Sequence, residues 1–386
     1  MVSARCIAFV GVIAVLLTTL TGCGAANPNT VSSPPETGVS PATEMRGVWV
    51  SYLDLEPVLA NATPATAAQR LDTLLDTCRN SGFNTVFWHV RSHSNAFYQS
   101  TVYPAADAAD ALLQQGFDPL AYAVKAAHDR QLALHAWLNP YRIGETVANA
   151  PLTESEQRFQ KGGVWYYNPA HPQVQKLVLD GVREILTHYA VDGIHIDDYF
   201  YPDGMNAAGE LFEDIPTGMS VTTYRQTQVN MLVSSIHALA RGHGCVFGVS
   251  PIAAVRRCQT TAYADVALWL TTPGYVDYIC PQIYSGFTHQ TRPFAHVLDE
   301  WLSLPRRTDV ALYVGLALYK AGLTEDTYAG TGRLEWSTHT DIIARQLDAI
   351  RKTEQIDGFI VFRYKQLIDT TPAVQAERQA LLQRLL

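Results

Sequence analysis

Short apolar segments alternate with amphipathic ones eight times between residues 45 and 385. Strands are expected over 45–51, 84–90, 132–138, 193–197, 245–250, 277–283, 309–316 and 358–363. Helices are expected over 66–81, 118–130, 171–189, 221–241, 262–270, 294–304, 340–353 and 373–385. The strand segments are nearly continuous in apolar residues, which suits strands buried on both faces of a parallel sheet better than half-exposed ones. Eight strand–helix units is the count of a closed (β/α)8 TIM barrel. A doubly wound open sheet is the competing arrangement, but no Gly-rich phosphate-binding turn follows the first strand.

The barrel reading directs attention to strand ends, because barrels of this kind build their sites at the C-terminal face. The fourth strand runs into Asp192-Gly193-Ile194-His195-Ile196-Asp197-Asp198-Tyr199-Phe200-Tyr201-Pro202. Two adjacent carboxylates there cost desolvation and mutual repulsion unless something uses them. Capping of the next helix, or pairing with nearby arginines, is the structural alternative. Strand alternation places His195 and Asp197 on one face, with Tyr199 following as the strand ends. Asp198 points the other way unless the chain bends.

Other polar and aromatic residues crowd the same end. His135, Trp137 and Asn139 alternate along the third strand, and Arg142 follows. Arg91 ends the second strand, Gln282 and Tyr284 the sixth, and Arg363 the eighth. Amides and imidazoles bond hydroxyls directionally, and aromatic faces stack on sugar rings, so these are the candidate substrate contacts. The connections 91–117, 139–170 and 198–220 are long enough to read as functional loops. They carry Phe97, Tyr98, Trp165, Tyr166 and Tyr167, which places the expected cleft over strands two to four.

Ahead of the barrel lie two segments of different character. Residues 1–23 have a basic head at Arg5 and an apolar run of about a dozen residues, shorter than the roughly 20 needed to span a bilayer. The run ends in Leu20-Thr21-Gly22-Cys23, which resembles the bacterial lipobox, and Cys23 is the expected lipidation site. Residues 24–43 are Ala, Asn, Pro, Ser, Thr and Gly with almost no large apolar side chain, the composition of a flexible tether. The expected organisation is a signal peptide over 1–23, a tether over 24–43 and a barrel over 44–386, held outside the cytoplasm at a membrane by lipid.

The net charge of −8 leaves no basic footprint, so nucleic acid is not an expected partner. Cys78, Cys245, Cys258 and Cys280 lack metal-type spacing and read as small buried hydrophobes, although pairing among them is open. Neither a metal nor an organic cofactor is expected. A metal-dependent alternative would use His89, His93, His135, His195 and Asp197, but the first strand lacks a His-x-His pair.

Five motifs in order carry a resemblance: MRGVWVS, HAWLNPYR, DGIHIDDYFYP, GVSP and PQIY. Together they resemble the glycosyl-hydrolase-like family 10, many of whose members are bacterial lipoproteins with a barrel domain, and the resemblance covers 44–386. It implies hydrolysis of glycosidic bonds, with cell-wall glycan strands as a substrate class. The fourth strand is also similar to that of the α-amylase superfamily, whose nucleophile falls at Asp197. In the chitinase-type strand, to which it is likewise similar, the general-acid Glu falls at Tyr199. Strand five lacks the acid that amylases place there.

Glycoside hydrolysis asks for one ionised and one protonated carboxyl group. Asp197 is the candidate nucleophile or charge stabiliser and Asp198 the candidate donor, with Glu210, Glu213 and Asp214 as alternative donors. A non-catalytic glycan-binding protein is the other reading of the same surface.

Overall fold

The computed structural model describes residues 44–198, 200–205 and 211–386. Eight parallel strands close into a barrel: Met45–Val50, Thr85–Arg91, Ala133–Leu138, Gly193–Ile196, Val246–Val249, Tyr278–Ile279, Ala311–Leu316 and Gly358–Val361. Each pairs with the next in chain order, and the last returns to the first through Met45↔Gly358 and Val48↔Val361. The fold is the (β/α)8 TIM barrel. The expected signal peptide, tether and lipidation site Cys23, together with Tyr199 and Glu210, lie outside the described residues.

Local chemistry starts the helices where the sequence signals them. Pro64–Asn80, Pro119–Asp129 and Pro172–His188 each place Pro in the first turn, where its missing N–H costs nothing. The residues before them, Thr63, Asp118 and His171, accept backbone N–H bonds through their side chains. The expected helix over 262–270 is instead two short ones, Val255–Thr260 and Val266–Thr271. Between them Tyr263 takes a positive φ of 55°, and its hydroxyl donates to Met205 O at 2.5 Å.

The barrel interior is filled by large side chains over small ones. Trp49, Phe87, Trp137, Tyr278, Cys280 and Ile360 pack inside the strands. Gly248 makes room for Tyr278: a Cβ there would lie 2.1 Å from the ring. A separate, larger core lies between strands and helices, and Cys78 and Cys258 are buried in it. Cys245 is half-buried, and all four described cysteines are free thiols.

The three long connections are more built than loops. The one after the second strand holds a helix, Asp107–Gln114, and the one after the third an antiparallel sheet of Arg142–Gly144, Val164–Tyr167 and Arg158–Lys161. In the connection after the fourth strand, Glu213 is gripped bidentately by Arg225 of helix Val221–Gly242, at 2.8 and 2.9 Å, with both side chains buried. The same guanidinium lies 5.2 Å from the rings of Tyr201 and Tyr263. That anchorage holds Tyr201, Met205 and Glu213 against helix Val221–Gly242.

Candidate active site

At the mouth of the barrel a cavity of about 270 Å³ is lined from nearly every strand: Trp49 and Ser51, His89, Trp137 and Asn139, Asp197 and Asp198, Ser250, Gln282 and Tyr284, and Phe362. Arg142 and Tyr319 close its sides. The cleft is therefore centred on the whole barrel mouth and is not confined to strands two to four. A second cavity of about 560 Å³ adjoins it, and Asp198, Gln282 and Tyr284 line both.

The fourth strand delivers its two acids to different surroundings. Ile194 and Ile196 turn to the helices and are fully buried, so His195 and Asp197 face inward. Asp197 accepts a bond from Trp137 Nε1 at 3.3 Å. Asp198 lies at the junction of the two cavities, where Gln282 Nε2 donates to its Oδ1 at 3.0 Å. Burial pushes the Asp198 carboxyl up to about 6, against the bond from Gln282, which favours the ion. The Gln282 amide also donates to Ser250 O at 2.8 Å. Both its N–H groups are then engaged, and its carbonyl oxygen remains to accept from a ligand.

Supporting residues fix these groups. Trp137 stacks on His89 with centroids 3.6 Å apart and planes 12° apart. His89 accepts at Nδ1 from Tyr52 N and therefore donates from Nε2 to Asn139 Oδ1 at 3.0 Å. Burial keeps that imidazole neutral. Tyr319, 40% exposed, meets Tyr284 and Phe362 at 5.7 Å from each, forming an aromatic wall.

Several expected contacts stand elsewhere. His195 faces inward as alternation requires but is fully buried beneath the cleft floor. Its Nε2 accepts from Trp49 Nε1 at 3.3 Å and meets Ser250 Oγ at 3.0 Å, while its Nδ1 meets Tyr278 Oη at 3.0 Å. His135 is one layer further down, bonded to the same tyrosine hydroxyl at 3.0 Å. Neither can touch a substrate in this arrangement. Arg91 is buried, with its guanidinium on the carbonyls of His93 and Pro140 and over the Tyr103 ring.

Arg363 closes the seam between first and last strands, 3.0 Å from Asp54 Oδ1 and donating to Ser51 Oγ at 2.9 Å. Trp165 and Tyr166 do not line either cavity: Arg158 covers the Trp165 ring, and Tyr166 stacks on Phe159. Phe97, Tyr98 and Tyr167 are core residues. Of the alternative donors, Glu213 is held by Arg225 and Asp214 is exposed outside both cavities. Trp49, Ser51, Ser250, Tyr319 and Phe362 line the cleft without having been singled out as contacts. Trp49 and Ser51 share the inward alternation of the first strand, and Ser250 lies within GVSP, so those three carried a readable signal. Tyr319 carried none.

The sequence profile of the glycosyl hydrolase-like 10 family matches residues 44–329. Glycosyl hydrolase YngK of Bacillus subtilis (strain 168) is 28% identical over 361 residues, covering 84% of this chain and 69% of the relative. Glycosyl hydrolase DigH of Escherichia coli (strain K12) is 27% identical over 402 residues, covering 89% and 90%. Among solved structures, the PgaB (BpsB) glycoside hydrolase domain from Bordetella bronchiseptica superposes with a TM-score of 0.56 at 14% identity, covering 88% of this chain and 99% of that one. That likeness speaks for the fold, and the profile match for the lineage. The chain belongs to the glycosyl hydrolase-like 10 family.

Proposed function

We propose that this protein hydrolyses O-glycosidic bonds of a polysaccharide or oligosaccharide, with the bond lying across Asp198 where the two cavities meet. The observation that carries the reading is the pair of adjacent carboxyl groups in unlike settings. Asp198 is raised to about 6 by burial, while Asp197 lines the first cavity with an indole N–H on its oxygen. Paired acids whose environments differ in this way divide into proton donor and charge-bearing partner. Asp198 then protonates the departing glycosidic oxygen, and Asp197 stabilises or attacks the oxocarbenium-like centre.

The lining suits a sugar. Asn139 and Gln282 offer directional bonds to hydroxyls, and Tyr319 and Tyr284 offer faces for a pyranose. Cavities on both sides of Asp198 leave room for residues before and after the scissile bond. The two relatives named as glycosyl hydrolases support the reaction class.

The finer reading is a lipoprotein anchored through Cys23 outside the cytoplasm, acting on peptidoglycan glycan strands. It rests on the Leu20-Thr21-Gly22-Cys23 run and the tether composition. Digestion of defined wall glycans, intact and stripped of peptide, with products read by mass, tests the reaction and the substrate together. New shorter glycans support the proposal, and binding without any product overturns it in favour of a glycan-binding protein. For the anchor, Cys23→Ala should release the protein from the membrane fraction once the signal is removed; continued membrane association contradicts it.

A further inference from the structure

The cavity beyond Asp198 differs in chemistry from the one over the barrel axis. Its lining brings together Arg257, Arg292, Lys320 and His289, and it opens past Tyr328, which is 86% exposed. Two of the cations are matched by acids in the same wall: Arg257 with Asp203 at 2.7 Å, and Lys320 with Asp326 at 2.6 Å. Arg292 is half-buried and has no acid partner among the described residues.

His289 points to the same conclusion by a separate route. Its Nδ1 accepts from the backbone N–H groups of Thr291 and Arg292, at 3.3 and 3.2 Å. The neutral ring therefore carries its proton on Nε2, where it has no protein partner among the described residues. Burial and the neighbouring Arg292 charge both hold the ring in that neutral form. A guanidinium and an N–H donor thus share one wall; of its acids, Asp203 and Asp326 are matched by Arg257 and Lys320, and Asp198 stands at the junction with the first cavity, bonded to the Gln282 amide.

We propose that this second cavity is an anion-accepting subsite in which Arg292 and His289 bind the carboxylate of an acidic sugar placed next to the bond under Asp198. The planar guanidinium fork matches a carboxylate in two parallel bonds, which a neutral hydroxymethyl group cannot reproduce. The inference rests on the glycosidase reading for its substrate class, but it concerns recognition and can fail independently.

The test uses the Asp197→Asn protein, to suppress turnover, in calorimetric titrations with two probes. One is an oligosaccharide of alternating N-acetylhexosamines whose lactyl ethers carry free carboxylates; the other is the same oligosaccharide with those carboxyls reduced to alcohols. The carboxylate form should bind about tenfold more tightly, roughly 1.4 kcal/mol. Added Arg292→Gln should abolish the difference while leaving the affinity for the reduced form and the melting temperature unchanged. Added Arg292→Lys should restore part of it. Equal binding of both probes, absence of binding by either, or a preference that survives Arg292→Gln overturns the subsite. Turnover by the unsubstituted protein is read separately. Equal cleavage of both probes removes the subsite and keeps the hydrolase, whereas a binding preference with no cleavage of either removes the hydrolase and keeps the subsite.

Discussion

The indole N–H of Trp137 donates to Oδ2 of Asp197 at 3.3 Å. The two residues come from neighbouring strands, Trp137 pairing with His195 two positions before the aspartate. The barrel register therefore sets their separation, and the stack of Trp137 on His89 sets the direction of the donor. Asp197 is thus held by a donor that is itself fixed by packing.

Trp137→Phe tests that relationship. The phenyl ring keeps most of the stack on His89 but removes the donor. A hydrogen bond to a charged group contributes about 1.5–3 kcal/mol, so kcat should fall about tenfold or more. The melting temperature should change little, and KM less than kcat. An unchanged kcat would mean that the bond does not orient Asp197 for reaction.

Asp198 sets a pH dependence whose sign follows from its role. As proton donor it must be protonated, and burial raises its carboxyl to about 6. Activity should be retained below that value and fall as pH rises through it, approaching tenfold per unit in kcat/KM. Asp198→Asn should erase this limb and spare substrates with good leaving groups. A profile flat from pH 5 to 8 in the parent protein would remove Asp198 as the donor.

Glu213 and Arg225 give a stability prediction that also separates structure from catalysis. Arg225→Met leaves the Glu213 carboxylate buried without its bidentate partner, a change that costs about 3–5 kcal/mol. Urea unfolding should register that loss. Glu213→Gln should retain most of the activity per folded molecule. Loss of turnover with full retention of the fold would place Glu213 in the chemistry.

Gly248→Ala probes the barrel interior. The added methyl would lie 2.1–2.3 Å from three atoms of the Tyr278 ring, and that ring bonds both His135 and His195. Overpacking of this kind costs about 1–3 kcal/mol, with the broken hydrogen bonds adding to it. A melting temperature equal to that of the parent would show that the tyrosine has room to move.

The barrel was legible because each strand announces itself locally, as an apolar run with a turn at its end. Asp197, Asp198, Trp137, Asn139, Gln282 and Tyr284 were legible as lining because alternation and strand-end position are also local. Depth was not. Alternation gives the face of His195 correctly, but whether an inward side chain reaches the cleft depends on how far the barrel is filled above it, and here Ser250 and Trp49 lie against its ring. Arg363 was misread for a related reason: its partner Asp54 is far away in the chain, and no local pattern joins them. The aromatics of the long connections read as sugar platforms because a core aromatic and an exposed one look alike until packing distinguishes them. Phe97 and Tyr98 proved to be core.

The measurement that bears most directly on the central claim is the turnover of Asp197→Asn and Asp198→Asn, each compared with the parent on the same natural glycan and on an aryl glycoside. Asn preserves shape and removes charge, and electrostatic stabilisation of this kind is worth about 2.7–4 kcal/mol, so Asp197→Asn should lose at least roughly 10²–10³ in kcat on both substrates. Asp198→Asn should lose comparably on the glycan and much less on the aryl glycoside, whose leaving group needs little protonation. A folded Asp197→Asn protein with activity close to the parent's on its glycan would contradict catalysis at this pair of carboxylates.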